Sequence, residues 1–376
     1  MKIMKTGVIC IFVCMLLMLV TVAPISASTS WNETSQSLTM GNILYAGGLG
    51  PNNYTKIQDA INDAVNGDTV FVYDESSPYQ EILTINKSIS LIGENKETTV
   101  IETTIENTTV ITISADNVSM SGFTILMSPS TGLSVGIRIS KMEDWPGETE
   151  IIRDVHIFNN NIEAITQFSV GISSLYLNYG NFSNNYVNCR YFGIQLFLSS
   201  HNNVTKNVVE HSNYGIWVEN TWNPRYHLWF THPKFGDNMI LGNVVRNNQI
   251  GILIDGDRTI NDKVLDNNIT NNELGIVLGT TLKSEIARNN FIGNNLSASI
   301  ETINLFFYPT NSWHDNYWGE TKKLPVPIFG KFWFIIMFNT DFRETNFGSA
   351  IPLGKYPVIA FDRTPAHEPY DIPGMS

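Results

Sequence analysis

Residues 184–219 read NNYVNCRYFGIQLFLSSHNNVTKNVVEHSNYGIWVE, and this stretch contains the same unit twice. In each copy an asparagine precedes a short apolar segment, and a Gly-Ile pair follows a few residues later. The asparagines are Asn185 and Asn207 and the glycines are Gly193 and Gly215, so both features repeat after 22 residues. Self-similarity with a period of about 20 to 50 residues is typical of a solenoid, and it predicts that each copy forms one coil.

The unit extends beyond this stretch in both directions. Most steps between aligned residues are 22 to 26 residues long, and the exceptions are steps of 35 and 36 residues. The aligned asparagines are Asn161, Asn185, Asn207, Asn243, Asn268, Asn290 and Asn316, and the Gly-Ile elements begin at Gly136, Gly171, Gly193, Gly215, Gly251 and Gly275.

Short strand-like segments at this period predict an all-β parallel β-helix, with three short strands and three turns in each coil. Asparagine fits the turns because it tolerates the left-handed backbone region. Asparagine amides that stack at one corner can also form a hydrogen-bonded ladder. The glycines are expected where neighbouring coils approach closely.

Each Gly-Ile element also predicts which side chains face the core, because successive residues of a strand point to opposite faces. The first and third residues after the glycine should point inward, and the second and fourth should point outward. The predicted inward residues are almost all aliphatic: Ile137, Ile139, Ile172, Ser174, Ile194, Leu196, Ile216, Val218, Ile252, Ile254, Ile276 and Leu278. The predicted outward residues are mixed: Arg138, Ser140, Ser173, Leu175, Gln195, Phe197, Trp217, Glu219, Leu253, Asp255, Val277 and Gly279.

The N-terminal end of the chain indicates export. A basic start, an apolar run from Gly7 to Val22 and small residues up to Ser28 predict a secretory signal peptide over residues 1–27, with an uncleaved membrane anchor as the alternative. Loss of Lys2 and Lys5 with the signal takes the formal net charge from −12 to −14, which argues against nucleic acid or an anionic membrane as a partner. Only Cys189 remains in the mature chain, so no disulfide within the chain is expected.

Both ends of the repeat have patterns of their own. Between Tyr54 and Asn66 apolar residues recur with helical spacing, and Gly67 follows, which predicts a helix that caps the core at its N-terminal end. The apolar residues of this stripe are Ile57, Ala60, Ile61, Ala64 and Val65.

Beyond residue 320 the composition changes, since seven of the 15 prolines lie in 321–376. The run from Phe332 to Phe338 is too short to cross a bilayer. We expect it to cover the C-terminal end of the stack, with a dimer contact as the alternative. The predicted organisation is a signal peptide (1–27), a flexible leader with the first strand (28–53), a parallel β-helix (54–320) and a proline-rich C-terminal capping segment (321–376).

Two insertions interrupt the period, near residues 141–150 and 220–236, and both begin five residues after their glycine. They should therefore leave the coil at the same corner, and insertions in a repeat array often form a binding face. The second insertion is rich in aromatic residues. Asn-x-Ser/Thr sequons indicate that the exported chain is glycosylated. The candidate asparagines are Asn53, Asn86, Asn107, Asn117, Asn181, Asn203, Asn268 and Asn295.

Several segments resemble a known family, the NosD-like right-handed parallel β-helix proteins of the pectin-lyase-like superfamily. The N-terminal likeness lies in Leu44–Gly48, Asn53–Ile61, Gly67–Val72 and Ile85–Gly93, and the C-terminal likeness lies in Asn316–Gly319 and Asp362–Asp371. The chain also resembles secreted surface proteins of archaea. The resemblance implies a right-handed β-helix. It leaves the activity open, because the family includes polysaccharide-active enzymes, carbohydrate-binding surface proteins and a copper-site maturation factor.

The outward face offers a carboxylate pair for catalysis. Glu219 and Asp255 are predicted on neighbouring coils, about 5 Å apart at Cα, which would suit a retaining glycosidase. The alternative is that both are ordinary solvated acids. The sequence has no paired-aspartate signature of polygalacturonases, no Gln-Asp-Thr segment of pectin methylesterases and no calcium-binding acid cluster of pectate lyases.

The same face could bind carbohydrate without catalysing a reaction, since aromatic rings stack on sugars and polar side chains supply hydrogen bonds. The alternative is that the aromatic residues only hold the loop to the coil. The candidate ligand-binding residues are Trp217, Phe197, Gln195, Arg138, Trp222, Tyr226 and Trp229.

The resemblance to NosD suggests a copper site. However, His227 and His232 do not have a recognised ligand spacing, and soft sulfur ligands are sparse. We therefore expect no metal site and no cofactor, with neither copper nor calcium supported by ligand spacing. A purely structural spacer in the cell envelope is a further alternative.

These patterns together predict a secreted or cell-surface β-helix protein that binds a polysaccharide, a surface glycan or a cell-envelope protein and is not an enzyme. The alternatives are a polysaccharide hydrolase or lyase on the same face and a copper-site maturation factor of the NosD type.

Overall fold

A computed structural model describes residues 41–127, 132–141, 150–164, 168–220, 235–256, 259–303, 310–337 and 350–372. The chain forms a parallel β-solenoid of about nine turns. Each full coil contributes one strand to each of three long sheets, and each strand pairs with its equivalents in the preceding and following coils. The predicted β-helix is confirmed.

Sheet A has eleven parallel strands. They are β1 (Ile43–Ala46), β2 (Thr69–Val72), β5 (Ser90–Gly93), β8 (Ser119–Ser121), β12 (His156–Phe158), β16 (Asn181–Ser183), β19 (Asn203–Thr205), β23 (Met239–Leu241), β27 (Lys263–Leu265), β31 (Glu285–Ala287) and β34 (Ser312–His314).

Sheet B follows sheet A along each coil and has nine strands. They are β3 (Tyr79–Gln80), β6 (Val100–Glu102), β9 (Thr124–Leu126), β13 (Asn161–Ala164), β17 (Tyr186–Cys189), β20 (Val208–Glu210), β24 (Val244–Arg246), β28 (Asn268–Thr270) and β32 (Asn290–Ile292).

Sheet C completes the coil, and its strands contain the Gly-Ile elements. They are β4 (Leu83–Ile85), β7 (Thr109–Ile113), β10 (Ser134–Ile139), β14 (Ser169–Leu175), β18 (Phe192–Phe197), β21 (Tyr214–Glu219), β25 (Ile250–Asp255), β29 (Leu274–Leu278), β33 (Leu296–Ile303), β35 (Val326–Met337) and β36 (Ala350–Asp362). Short strands at the corner between sheets C and A form two small sheets: β11 (Ile152–Arg153) with β15 (Leu177–Asn178), and β22 (Phe235–Gly236) with β26 (Thr259–Ile260) and β30 (Thr281–Leu282).

The core confirms the predicted inward residues of sheet C, although the predicted outward residues Ser140 and Val277 are buried as well. All twelve residues predicted to face inward are fully buried, and they stack in register from coil to coil. Because burial of an aliphatic side chain stabilises by about 1.5–3 kcal/mol, this continuous column is a main source of stability. One inward residue is polar, and the Ser174 hydroxyl donates to the Gln195 carbonyl at 3.3 Å.

The glycines of sheet C are required by the close approach of neighbouring coils, as predicted. A Cβ on Gly193 would lie 2.5 Å from the carbonyl oxygen of Gly215, and a Cβ on Gly215 would lie 2.6 Å from that of Gly251. Real Cβ atoms do not come this close to backbone oxygen, so a larger residue would push the coils apart.

The corner between sheets A and B contains the predicted asparagine ladder. Each side-chain Nδ2 donates to the Oδ1 of the next asparagine at 2.9–3.2 Å, and the backbone N–H of the same residue donates to that oxygen as well. Its members, all at most 1% exposed, are Asn160, Asn185, Asn207, Asn243, Asn267, Asn289 and Asn316.

The ladder corrects the sequence alignment in two respects. In three coils the asparagine before the aligned one forms the ladder, so the predicted Asn161, Asn268 and Asn290 lie in sheet B instead. The expected left-handed backbone also belongs to the residue before each ladder asparagine. Those residues, with φ between 53° and 65°, are Asn159, Asn184, Lys206, Gly242, Asp266, Arg288 and Asp315.

The other two corners have shorter ladders of the same kind. Asn248, Asn272 and Asn294 connect three coils between sheets B and C through Nδ2-to-Oδ1 bonds of 3.1 Å. Between sheets C and A, Asn202 donates to Asn238, and Asn238 donates to Asp262. The fold therefore uses buried side-chain amides at all three corners.

A carboxyl group replaces the amide at the last of these positions. Asp262 is fully buried, and its Oδ1 accepts from the backbone N–H and the Nδ2 of Asn238 at 2.8 and 3.0 Å. Within the described residues, its Oδ2 has no hydrogen-bond partner. Burial is the main reason that the pKa of Asp262 is raised to about 7.

The N-terminal end of the core is covered by helix α1 (Ile57–Asp63), which confirms the predicted helix. Ile57, Ala60 and Ile61 are fully buried against the first coils. The carboxylate of Glu81 accepts from the backbone N–H groups of Ile57 and Gln58 at 2.9 and 3.0 Å, so a side chain outside the helix satisfies its free donors.

One residue of the predicted apolar stripe does not belong to it. Val65 is 60% exposed, because the helix ends at Asp63 and Val65 lies in the turn that follows.

At the C-terminal end, β35 joins sheet C in parallel with β33, and β36 returns antiparallel to β35. The run from Phe332 to Met337 belongs to β35, so its backbone continues sheet C, while Phe338 lies outside the described residues. Asp362, at the end of β36, accepts from the N–H and Nδ2 of Asn316 and from the indole N–H of Trp318, at 3.0–3.1 Å.

Both predicted insertions follow a strand of sheet C, after β10 and after β21, so they leave at the corner between sheets C and A. Residues 142–149 and 221–234 themselves are outside the described part of the chain. In the part that is described, no helix is both long and apolar enough to cross a membrane.

We predict that Asn267→Ala destabilises the fold by about 3 kcal/mol or more. The substitution removes the oxygen that accepts from the backbone N–H and the Nδ2 of Asn243, and it removes the side-chain donor to the carbonyl of Ile240. Each buried group left unsatisfied costs about 1–3 kcal/mol. Denaturant unfolding followed by circular dichroism measures the loss. The exposed Asn295→Ala is the control, and an equal, small effect of both substitutions would contradict the role of the ladder.

We predict that Asp262 makes the protein less stable as the pH rises from about 4 to about 7. Its raised pKa means that the folded protein binds this proton more tightly than the unfolded chain, so the stabilisation is complete below the unfolded pKa and is lost up to the folded pKa. Thermal unfolding across this range measures the slope. Asp262→Asn should reduce the slope, because an amide does not titrate, and the part due to the raised pKa of Glu219 should remain. An unchanged slope would show that Asp262 is not responsible.

Candidate functional site

Sheet C places the two predicted catalytic carboxylates side by side on its outer face. Glu219 is the last residue of β21, Asp255 is the last residue of β25, and the two are directly paired in the parallel register. Neighbouring strands lie about 4.8 Å apart. The predicted adjacency of Glu219 and Asp255 is therefore present in the structure.

The surroundings of Glu219 favour its protonated form. Burial raises the pKa of Glu219 to about 7, and the negative charge of Asp255 adds to the shift. Phe197 is paired with Glu219 on the preceding coil, so an apolar ring lies beside the carboxyl group. A carboxyl with a pKa near neutrality can both donate and accept a proton at physiological pH.

The surroundings of Asp255 hold its carboxylate in place. Its Oδ1 accepts from the backbone N–H of Gly256 at 2.7 Å and from that of Thr280 at 3.1 Å. The next coil has Gly279 at the facing position, where a Cβ would lie 2.0 Å from Oδ1 of Asp255. The absence of a side chain at Gly279 is therefore what gives this carboxylate its space.

A second outward row runs parallel to the carboxylates. Arg138, Ser173, Gln195 and Trp217 are paired in sequence along sheet C. The Ser173 hydroxyl donates to Oε1 of Gln195 at 3.0 Å, and Arg138 is exposed at one end of the row. Polar side chains are thus presented on three successive coils next to an indole ring.

Trp217 belongs to an aromatic cluster that the sequence analysis missed. Its ring stacks on Tyr214 with centroids 5.1 Å apart and contacts Phe192 at 4.8 Å. Tyr191 contacts Phe192 at 4.0 Å and Phe168 at 5.9 Å. The available signal was the aromatic residue directly before the glycine in Phe192-Gly193 and Tyr214-Gly215.

This packing changes the interpretation of two predicted residues. The indole nitrogen of Trp217 is buried and has no hydrogen-bond partner among the described residues, so one edge of the ring is turned into the protein. Phe197 packs against Tyr176, Leu198 and Phe235 in a small apolar cluster at the corner between sheets C and A. Both rings therefore also stabilise the local structure.

The remaining candidates lie in the second insertion. Trp222, Tyr226, Trp229, His227 and His232 are all within 221–234, outside the described residues.

Metal ligands are sparse in the described coils and caps, where no group of three or more His, Cys, Asp or Glu side chains is arranged to hold a metal ion. Cys189 is buried, and burial raises the pKa of its thiol, so the group stays protonated. A protonated thiol inside the core is not a metal ligand.

Comparison with known protein families supports the predicted resemblance. A family model described as "Periplasmic copper-binding protein (NosD)" matches residues 232–330. The match covers the last coils, and of the segments that carried the resemblance it includes only Asn316–Gly319. No curated protein matches the chain by sequence.

Solved structures similar to this chain include β-helix proteins of several kinds. The A-module of the mannuronan C-5 epimerase AlgE6 of Azotobacter vinelandii is 18% identical, with 66% of this chain and 74% of the module aligned and a TM-score of 0.48. The enzymatically active domain of tailspike protein 2 of bacteriophage CBA120 is 12% identical. The alignment covers 78% of this chain and 43% of that domain, with a TM-score of 0.46. Pectate lyase Pel9A is 14% identical, with 76% of each chain aligned and a TM-score of 0.42.

The family match and the observed parallel β-solenoid together confirm the predicted resemblance to NosD-like β-helix proteins, with the family match lying in residues 232–330. The likeness to archaeal surface proteins stays a prediction.

We predict that Asp255→Asn lowers the pKa of Glu219 below about 7 without returning it to its ordinary value. The substitution removes the neighbouring charge but leaves the burial, which is the larger cause. Carbon-13 NMR of the glutamate carboxyl groups measures the titration, and Glu219→Gln identifies the signal. An unchanged pKa in Asp255→Asn would show that the two carboxyl groups do not interact.

Proposed function

We propose that the outer face of sheet C binds a polysaccharide, and that the protein acts outside the cytoplasm. The observation that carries the proposal is the aromatic cluster of Phe168, Tyr191, Phe192, Tyr214 and Trp217, which borders the polar row and the carboxylate pair on one face. Aromatic rings beside convergent polar groups are typical of sites for small polar ligands.

The outward rows supply hydrogen-bonding groups at a regular interval. Ser173, Gln195 and Glu219 lie on successive coils, and Arg138 lies one coil before Ser173. A linear chain of sugars laid along the stack could contact several of these groups at once. This repetition supports a polymeric ligand over a single sugar.

Export is proposed from the leader and is consistent with the periplasmic description of the matched family. Glycans, where the host attaches them, should occupy the exposed Asn86, Asn107, Asn117 and Asn295. Asn268 is only 4% exposed, so its side chain is inaccessible in the folded protein, and a glycan there is not expected.

The second candidate function is acid–base chemistry on the bound polysaccharide. Glu219, with its pKa of about 7, would act as the proton donor, and the fixed carboxylate of Asp255 would act as base or nucleophile. Two carboxyl groups in unlike environments can divide the roles of acid and base between them. This candidate keeps the same binding face and adds a reaction to it.

The third candidate, copper handling of the NosD type, rests on the family match alone. His227 and His232 would be the ligands, and a copper titration that leaves the melting temperature unchanged would remove this candidate.

We predict that Tyr214→Ala and Trp217→Ala each weaken polysaccharide binding about 3- to 10-fold. Loss of an aromatic contact of about 0.5–1.5 kcal/mol corresponds to that change in Kd. Glycan-array screening first identifies a ligand, and calorimetry with that ligand then compares the variants. Phe158→Ala is the matched control, because Phe158 is a partly exposed aromatic residue on the outer face of sheet A.

Because Trp217 is packed, the folded state of each variant should be checked by its melting temperature. Gln195→Ala provides a substitution with little packing cost and should also weaken binding. Equal affinity in all three sheet C variants and the control would refute binding on this face.

We predict that any hydrolase or lyase activity is lost in Glu219→Gln by at least about 100-fold, as expected for removal of a general acid. Reducing-end and unsaturated-product assays on acidic and neutral polysaccharides measure it. If the variant still binds polysaccharide, the lost activity is due to the missing proton donor and not to a damaged binding site. Activity that survives the substitution would exclude Glu219 from the mechanism.

A further inference from the structure

A separate cavity of about 440 Å³ lies at the C-terminal end of the solenoid. One wall follows β34 and contains Lys322 and Lys323, and the other follows β36 and contains Arg363 and His367. None of the sheet C residues proposed above to bind polysaccharide lines it.

The walls of this cavity are held together by hydrogen bonds between the two segments. The backbone N–H of Asp315 donates to the carbonyl of Thr364 at 2.9 Å, and that of Ala366 donates to Asn316 at 2.9 Å. The hydroxyl of Thr321 donates to the carbonyl of His367 at 2.8 Å. The cavity is therefore built into the structure before any ligand binds.

Two further hydrogen bonds fix the far end of the second wall. The hydroxyl of Tyr370 donates to the carbonyl of Asp315 at 2.8 Å, and its backbone N–H donates to Oδ1 of Asn290 at 2.9 Å. The segment thus closes on two different coils, which limits its freedom to move apart.

The cavity concentrates positive charge in an acidic chain whose formal net charge is −12. Lys322 is paired with Glu320, and Asp315, the one acid of the lining, is hydrogen-bonded to Nδ1 of His314 at 2.9 Å. Across the described residues, the other basic side chains of the lining, on Lys323, Arg363 and His367, make no ion pair.

We propose that this cavity binds a small ligand in which a carboxylate or phosphate group is attached to a body of monosaccharide size. The guanidinium of Arg363 can hold two oxygens of such a group at once, and Lys323 adds a compact charge. The volume falls in the range of about 300–1,000 Å³ that is usual for small-molecule sites. A uronic acid and a sugar phosphate share this chemistry.

The proposal goes beyond polysaccharide binding on sheet C, because it assigns a second site at the C-terminal end of the solenoid, lined by other residues. Calorimetry on the full chain with galacturonate, glucose 6-phosphate, inorganic phosphate and galactose tests it. Binding of galacturonate identifies a carboxylate ligand, binding of glucose 6-phosphate identifies a phosphate ligand, and galactose should not bind.

The variants Arg363→Gln and Lys323→Gln should each raise the Kd at least about tenfold, because each removes a charge-assisted contact. Both side chains are exposed, so the fold should tolerate the substitutions. Lys331→Gln, an exposed cation on β35 outside the cavity, should bind as the wild type does.

The proposal is overturned if no anion binds at millimolar concentration, or if the two variants bind as tightly as the wild type. Inorganic phosphate that binds as tightly as both sugars would overturn the part that concerns the sugar body. Trp217→Ala should leave anion binding unchanged, and Arg363→Gln should leave polysaccharide binding unchanged. The two proposed sites are therefore tested independently.

Discussion

The hydrogen bond from one corner asparagine to the next is the interaction on which the rest of the structure depends. Each amide is buried, and it donates to a backbone carbonyl of the preceding coil as well as to the side chain of the next asparagine. Because a one-residue slip would leave several buried groups unpaired, the ladder fixes the register of every strand that follows. The apolar column stabilises the stack, but an aliphatic core alone would tolerate such slips more easily.

That fixed register also creates the face of sheet C for which we propose polysaccharide binding. Glu219 and Asp255 lie side by side because β21 and β25 pair without offset, although the insertion separates them in sequence. The same alignment places Phe197 beside Glu219 and Gly279 beside Asp255, so one carboxyl group is desolvated while the other is held by backbone N–H groups. Two chemically similar residues thus acquire different properties from their neighbours in the stack.

Much of the fold and of the candidate site could be predicted from the sequence, because every repeat forms the same coil with the same packing. The inward residues, the close approach at the glycines and the adjacency of Glu219 and Asp255 follow from the period and from strand alternation. The ladder register did not follow, because an Asn-Asn pair offers two candidates and only the turn geometry selects between them. The aromatic cluster was missed because its members come from different coils. The cavity beside Arg363 was missed because its walls are joined by hydrogen bonds between residues 46 to 55 apart in sequence.

The end of the ladder at Asp362 has a consequence for how long the solenoid can be. The hydrogen bonds of the amide ladder all run in one direction, since every asparagine accepts at its oxygen and donates from its nitrogen. The side chain of Asp362 accepts in each of its hydrogen bonds and has no N–H group to donate onward, so the ladder stops there. Coils could be duplicated or deleted between Asn160 and Asn316 without breaking the ladder, whereas a coil appended after Asp362 would find no donor to continue from. At this corner, coils can thus be added or removed only before Asp362, where the change from amide to acid joins the ladder to the capping strand β36.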